Sequence, residues 1–225
     1  MTATSSSSTA LVVLGGAGIT ADVLASLPQH DVVIAADSGV DVAHALGLHV
    51  TAVVGDMDSV HPTALAAVEA LGATVIRHPR EKDASDAELA LLHAAQAGAQ
   101  RIVMLSGGGG RLDHQLGIFA VMFLDELRHC VVEARIGTSH LYAVRTAISI
   151  TAPIGATVGL IPFGGDVDGI TTTGLQWPLH NDTLHVAASR GISNRAVAET
   201  LSIAIRTGRL FVTIEAPHAE NENVQ

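Results

Sequence analysis

Val50-Thr51-Ala52-Val53-Val54-Gly55-Asp56-Met57-Asp58-Ser59 is the stretch on which the fold turns. Its first half is a short, β-branched apolar run without polar alternation, the pattern of a strand covered on both faces. Its second half becomes acidic where such a strand would end. Open parallel sheets bind their ligands beyond the carboxyl ends of their strands. On an extended backbone, Asp56 and Asp58 are two residues apart and point to the same side. Like charges that close repel unless a cation lies between them. A hard divalent ion such as Mg²⁺ suits them: it takes oxygen ligands, often only one or two carboxylates, and completes its shell with phosphate oxygens. A turn carrying two solvated acids is the other reading of these residues.

The same strand texture recurs on either side. Apolar runs at 11–14, 32–36, 51–54, 74–77, 102–105 and 130–134 alternate with Ala/Leu-rich helical stretches at 20–27, 40–46, 62–71, 86–97 and 112–127. This alternation predicts a three-layer α/β domain with a parallel sheet over residues 10–135. From residue 136 the long helical patterns stop. Short β-branched runs appear at 141–144, 147–151, 157–161, 170–173, 183–186 and 210–214, punctuated by Pro153-Ile154-Gly155, Pro162-Phe163-Gly164-Gly165 and Gly191. Residues 136–217 therefore read as an all-β sandwich or barrel. The segment 196–205 fits either a helical turn or a strand. Residues 1–9 are expected to be disordered and 218–225 to form a flexible tail.

Composition narrows the classes. Hydrophobic residues make up 48% of the 225 residues and charged residues 15%, which is the balance of a chain that buries a core. A formal net charge of −10 argues against a nucleic-acid partner, because phosphate backbones attract basic surfaces. It leaves nucleotides open, since a metal can bridge acids to phosphates. The single cysteine, Cys130, excludes an intrachain disulfide framework and reads as a small buried hydrophobe. The Ser/Thr-rich start lacks the basic region of a signal peptide. No apolar run approaches the ~18 residues of a membrane span; the longest candidate, 116–124, is interrupted by Gly117. A cytoplasmic protein without a membrane partner is expected.

Six further motifs fall in loops between predicted strands and helices or in the β-rich half. Gly15-Gly16-Ala17-Gly18 resembles a dinucleotide turn but lacks the full fingerprint spacing. Asp37-Ser38-Gly39 puts an acid at the ligand edge of the sheet, although Asp37 alone would also serve as a helix N-cap. In Lys82-Asp83-Ala84-Ser85-Asp86-Ala87-Glu88, Ser85 and Glu88 have capping-box spacing. Lys82 is a point charge suited to phosphate, and Asp86 is in reach of a metal. Ser106-Gly107-Gly108-Gly109-Gly110-Arg111-Leu112-Asp113-His114 runs from a strand through four glycines into a helix. Glycines let backbone N–H groups approach an anion, and a helix N-terminus adds partial positive charge. Arg111 can fork onto phosphate oxygens, and Asp113 can accept a proton from an attacking hydroxyl. His114 orients Asp113 or packs. Finally, Thr171-Thr172-Thr173-Gly174-Leu175-Gln176-Trp177 carries the only tryptophan, and Gly191-Ile192-Ser193-Asn194 lies downstream. Trp177 is either core or a stacking platform for a flat ring. Ser193 and Asn194 either make a turn or offer hydrogen bonds to a polar ring.

In their order and spacing these motifs resemble thiamine pyrophosphokinase, over residues from about 11 to 214. The resemblance implies an ATP- and Mg²⁺-binding catalytic domain followed by a thiamine-binding β domain. It implies a homodimer whose active site is shared between protomers. The implied reaction transfers a diphosphoryl group from ATP to the hydroxyl of thiamine, giving thiamine diphosphate and AMP. Asp56, Asp58 and Asp86 match the metal-binding acids, with Asp37 nearby. Asp37, Lys82, Gly109, Gly110, Arg111 and His114 match nucleotide-binding positions. Asp113, Asp86, Lys82 and Arg111 are the implied catalytic group, and Trp177, Ser193 and Asn194 the vitamin pocket. Three departures stand out: Ser38 replaces the first glycine of Asp-Gly-Gly, Met57 an aromatic residue, and Ile118 an asparagine. The rival readings are a diphosphokinase acting on another heterocyclic alcohol such as a pterin, a nucleotide-binding regulatory module without turnover, and a nicotinamide dehydrogenase.

Overall fold

A computed structural model describes residues 8–16 and 18–217. The expected tail 218–225, Ala17 of the glycine turn and all but the last two residues of the expected disordered start lie outside the described residues. Thr9, assigned to that start, is instead the first residue of strand β1 (Thr9–Val13).

The chain forms two compact units, residues 1–137 and 138–225. In the first, strands and helices alternate: β1, α1 (Ala21–Ala25), β2 (Val32–Ala36), α2 (Gly39–Ala45), β3 (Ala52–Gly55), α3 (Pro62–Ala70), β4 (Thr74–Arg77), α4 (Asp86–Gln96), β5 (Arg101–Ser106), α5 (Leu112–Val121) and β6 (Val131–Ile136). All the strand pairings in this unit are parallel, in the order β6-β5-β1-β2-β3-β4. β1 lies between β2 and β5, so the chain winds outward from β1 in one direction and then crosses to its other side. The loops after β1 and β5 diverge there, and such a switch point is where doubly wound sheets take ligands. The inner strands are buried on both faces, which is why they read as unbroken apolar runs. Leu11, Val13, Val33, Ala35, Val53, Val103 and Leu105 pack with Val40, Ala43, Ala64 and Val68 of α2 and α3.

Helix α4 begins as its sequence predicts: the Ser85 hydroxyl accepts from the Glu88 N–H at 3.2 Å. It buries Ala90, Leu91 and Ala94, an i, i+1, i+4 stripe. The stretch 112–127 departs from the single helix expected. Leu124 takes an extended conformation (ψ 138°), so α5 ends at Val121 and a 3₁₀ turn occupies Asp125–Leu127.

The second unit is two antiparallel sheets around one core. β7 (Ser139–Val144), β14 (Leu210–Glu215), β9 (Thr157–Pro162) and β12 (Asn194–Arg195) pair in that order. β8 (Ala147–Thr151), β13 (Thr200–Ala204), β10 (Val167–Thr173) and β11 (Asp182–Leu184) form the other sheet. Val144, Val158, Leu160 and Val212 meet Ile150, Ile170, Leu184 and Leu201 between them. The ambiguous segment 196–205 contains β13, whose alternating burial is the two-residue period of a half-covered strand.

Candidate active site

The acids that opened the sequence lie just past β3, on a different backbone from the one expected. β3 stops at Gly55, and Met57 is left-handed (φ 65°). The Asp58 N–H donates to Asp56 Oδ1 at 3.1 Å, closing an Asx turn. Met57 packs against the core, while the Asp56 side chain is 12% and that of Asp58 36% exposed. The two carboxylates meet a third: one oxygen from each of Asp37, Asp56 and Asp58 falls within a group 4.8 Å across. Asp37 follows β2 at φ 44°, a conformation that Asp tolerates better than most side chains. Gly55 permits this approach, because a Cβ there would lie 3.1 Å from Asp86 Oδ1 and 3.2 Å from the Asp37 Cβ.

The electrostatics of the three acids differ. Burial pushes the Asp37 carboxyl up, a hydrogen bond from the Ser38 N–H opposes this, and the charges of Asp86, Asp56 and Asp58 push it further. Asp37 Oδ1 is buried and has no hydrogen-bond partner among the described residues. Asp56 is held below the usual range by the Asp58 N–H and by Lys82. Lys82 Nζ lies 3.1 Å from Asp56 Oδ2 and 3.0 Å from Asp86 Oδ1. Burial opposes its charge, but these two carboxylates outweigh burial and raise it. Asp58 accepts from the Ser59 hydroxyl at 2.8 Å and pairs with Arg80 at 3.1 Å. Asp86 lies beside this group, sharing Lys82 with Asp56 and adding its charge to those acting on Asp37. Three convergent carboxylate oxygens, beside a residue whose buried Oδ1 lacks a donor, fit a divalent cation.

A cleft of about 640 Å³ opens beside this cluster. Asp37, Lys82, Asp86, Gly109, Gly110, Arg111, Asp113 and His114 all line it. Asp56 and Asp58 do not, and they adjoin it through Asp37. Ile118 lines it too, so the departure from asparagine gives the cleft an apolar wall. The cleft sits at the switch point: Gly15 and Gly16 follow β1, and the glycine loop follows β5. Ser106 pins the two loops, its hydroxyl donating to the Gly15 carbonyl at 3.1 Å and accepting from the Gly108 N–H at 3.2 Å. Gly108, Gly109 and Gly110 are successively left-handed (φ 74°, 76°, 83°), a path closed to most side chains. Arg111 forks onto Asp113 at 3.1 and 2.5 Å, and this pair holds the Asp113 carboxyl below its usual range. His114 is exposed, and its N–H donates to Asp113 at 3.0 Å.

Sequence reasoning gave Ser106, the first residue of the glycine motif, no role of its own and passed over Arg80; both line the cleft. Ser106 reads only as the start of the glycine run, and nothing local signals that its hydroxyl reaches the Gly15 carbonyl. Arg80 precedes the Lys82 motif with no spacing signal of its own.

In the second unit, Trp177 is 58% exposed, so it is not core. Asn194 is buried and clamps the Trp177 backbone: Oδ1 accepts from the Trp177 N–H at 3.2 Å, and Nδ2 donates to its carbonyl at 2.8 Å. Oδ1 also accepts from the Arg195 N–H at 2.8 Å. Asn194 is therefore spent on the backbone and positions the ring. Ser193 is exposed and left-handed (φ 58°).

Comparison with known proteins gives this arrangement its class. The description "Thiamin pyrophosphokinase, catalytic domain" matches residues 24–132, and "Thiamin pyrophosphokinase, vitamin B1 binding domain" matches 145–210. The chain belongs to the thiamin pyrophosphokinase family. It is similar to thiamine pyrophosphokinase 1 of Oryza sativa subsp. japonica, 27% identical over 161 residues that cover 66% of this chain and 60% of the relative. It is also similar to thiamine pyrophosphokinase of Bacillus subtilis, 23% identical over 89% of this chain and 95% of the relative. The chain spans about three fifths of the length of the plant relatives it matches. The crystal structure of the B. subtilis protein superposes with a TM-score of 0.81 at 23% identity, covering 92% of this chain and 99% of that one. The Candida albicans enzyme structure gives 0.76 at 16%, covering 92% and 90%. These structures share the two-domain α/β fold.

Proposed function

We propose that this protein is a thiamine diphosphokinase, moving a diphosphoryl group from ATP to the hydroxyl of thiamine and releasing AMP. The observation that supports this most is a three-carboxylate cluster that adjoins, through Asp37, a cleft lined by a largely shielded lysine and a glycine-rich helix start. That combination serves phosphoryl-type transfer, where catalysis is mostly positioning and neutralisation of oxygen charge. The thiamine oxygen attacks the β-phosphorus, the bond to the α-phosphate oxygen breaks, and the hydroxyl proton is taken up in the site. Asp37, Asp56 and Asp58 would hold Mg²⁺, with Asp86 beside them. A bound Mg²⁺ supplies positive charge to the phosphate oxygens. The N–H groups of Gly109 and Gly110 and the side chains of Lys82 and Arg111 bind the triphosphate. When phosphate draws Arg111 away, Asp113 loses the partner that lowers its affinity for protons and can receive the hydroxyl proton. His114 stays beside Asp113. The exposed ring of Trp177, set by Asn194 and flanked by Ser193, stacks on thiamine.

A homodimer belongs to the same proposal. Leu112 and Leu116 on α5 are 69% and 56% exposed, large apolar side chains of the kind a second copy covers. A cytoplasmic location is likewise proposed; among the described residues, no helix is long and apolar enough to cross a membrane.

Incubation with thiamine, ATP and Mg²⁺, followed by chromatography, tests the reading. Thiamine diphosphate and AMP are expected in equal amounts, and only when all three are present. ATP consumption independent of thiamine, or product formed from a pterin alcohol instead, would overturn it.

A further inference from the structure

The cation that pairs with Asp58 has no part in the function proposed so far. Arg80 NH2 lies 3.1 Å from Asp58 Oδ2, and Arg80 also lines the cleft. The neighbouring Lys82 makes a useful contrast. Its side chain is 14% exposed and bridges two shielded carboxylates. The Arg80 side chain is 80% exposed. An ion pair in that much water is worth at most ~1 kcal/mol and exchanges readily.

We infer that Arg80 is a further nucleotide-binding residue, parked on Asp58 until a divalent cation takes that carboxylate and then released to the polyphosphate. This rests on the function proposed above. Any cation bridging Asp37, Asp56 and Asp58 must compete for the carboxylate that the guanidinium holds, and two cations on one carboxylate repel. Displacement costs little because the pair is exposed. The freed side chain stays at the cleft wall, and its planar fork matches phosphate oxygens in two-point contact, which a lysine cannot reproduce. Arg80 therefore competes with the metal and aids the nucleotide. A residue whose only role was to brace Asp58 would weaken both when removed.

The two signs separate the possibilities. Binding of Mn²⁺ alone is measured by electron paramagnetic resonance, and binding of a non-hydrolysable ATP analogue with Mg²⁺ by calorimetry, on wild type, Arg80→Gln and Arg80→Lys. For Arg80→Gln, Mn²⁺ should bind about two- to fivefold more tightly, the loss of an exposed competing pair. The analogue should bind about tenfold or more weakly, the loss of a charge-assisted contact. Arg80→Lys should restore Mn²⁺ competition but only part of the analogue affinity. Weaker Mn²⁺ binding, or unchanged analogue binding, in Arg80→Gln overturns the inference and leaves the proposed function standing. A wild type that binds neither ligand overturns both.

Discussion

Asp37 carries an unresolved charge in the metal-free protein. Its carboxyl is pushed up by burial and by three neighbouring acids, and one of its oxygens has no donor. A carboxyl whose pKa is raised by folding favours the fold below its unfolded value. That advantage is lost as pH rises through the raised value. Without metal, the protein should therefore lose stability as pH climbs from the acid side through the Asp37 transition. Asp37→Asn should raise the metal-free melting temperature slightly, by roughly 1–2 °C after solvent screening, while abolishing stabilisation by Mg²⁺. Calorimetric scans with and without Mg²⁺ check both; a lower melting temperature in the metal-free variant would count against the strained-acid account. Asp56→Asn should cut turnover by orders of magnitude with little change in melting temperature, because the role proposed for it is charge. Trp177→Ala should raise KM for thiamine more than KM for ATP, since the ring is exposed and packs in no core. Steady-state kinetics with each substrate varied decide both.

At the scale of the element, Gly39 shows what local sequence cannot disclose. A Cβ there would sit 2.1 Å from the Val13 carbonyl oxygen, so the first turn of α2 rests directly on the end of β1. Gly39→Ala should destabilise the protein by about 2 kcal/mol or more, because backbone atoms cannot yield as a flexible side chain would. Urea denaturation measures this. In sequence, Gly39 reads only as a turn residue. The strands of the first unit were legible because burial on both faces leaves continuous apolar runs. The Ser85 cap was legible because its spacing is local. The break at Leu124 was not: Gly117 lies inside α5, and Met122-Phe123-Leu124, where the helix stops, contains no glycine or proline. The acid cluster was half legible. Asp56 and Asp58 announce themselves by spacing, but the approach of Asp37 and the bridge from Lys82, which spans 26 residues to reach Asp56, are tertiary. That the Asn194 amide bonds a backbone 17 residues away was not legible either, because a polar residue after a turn carries no sign of so distant a partner.

Over the whole molecule, the net charge of −10 sets a field as well as a solubility. Thiamine is a cation, and an acidic surface raises its local concentration. The value of kcat/KM for thiamine should fall on the order of a few-fold as ionic strength rises from about 0.03 to 0.5 M, because the Debye length shrinks to a few ångström. The corresponding value for MgATP should fall less or rise. Stopped assays across a salt series check this, and parallel losses for the two substrates would point to a general salt effect on the enzyme. The legibility of the second unit is weakest at this scale. Its strands are short, and β12, two residues long, is a strand only because β9 lies beside it.

The seam at Gly39 has one more implication. Where main chain touches main chain, the interval between them is fixed by atoms that every substitution leaves in place. Asp37 is thereby gauged against β1 with no side chain as an intermediary. Exchanges among apolar side chains leave the atoms of this contact in place, whereas one added methyl at Gly39 meets the Val13 carbonyl directly.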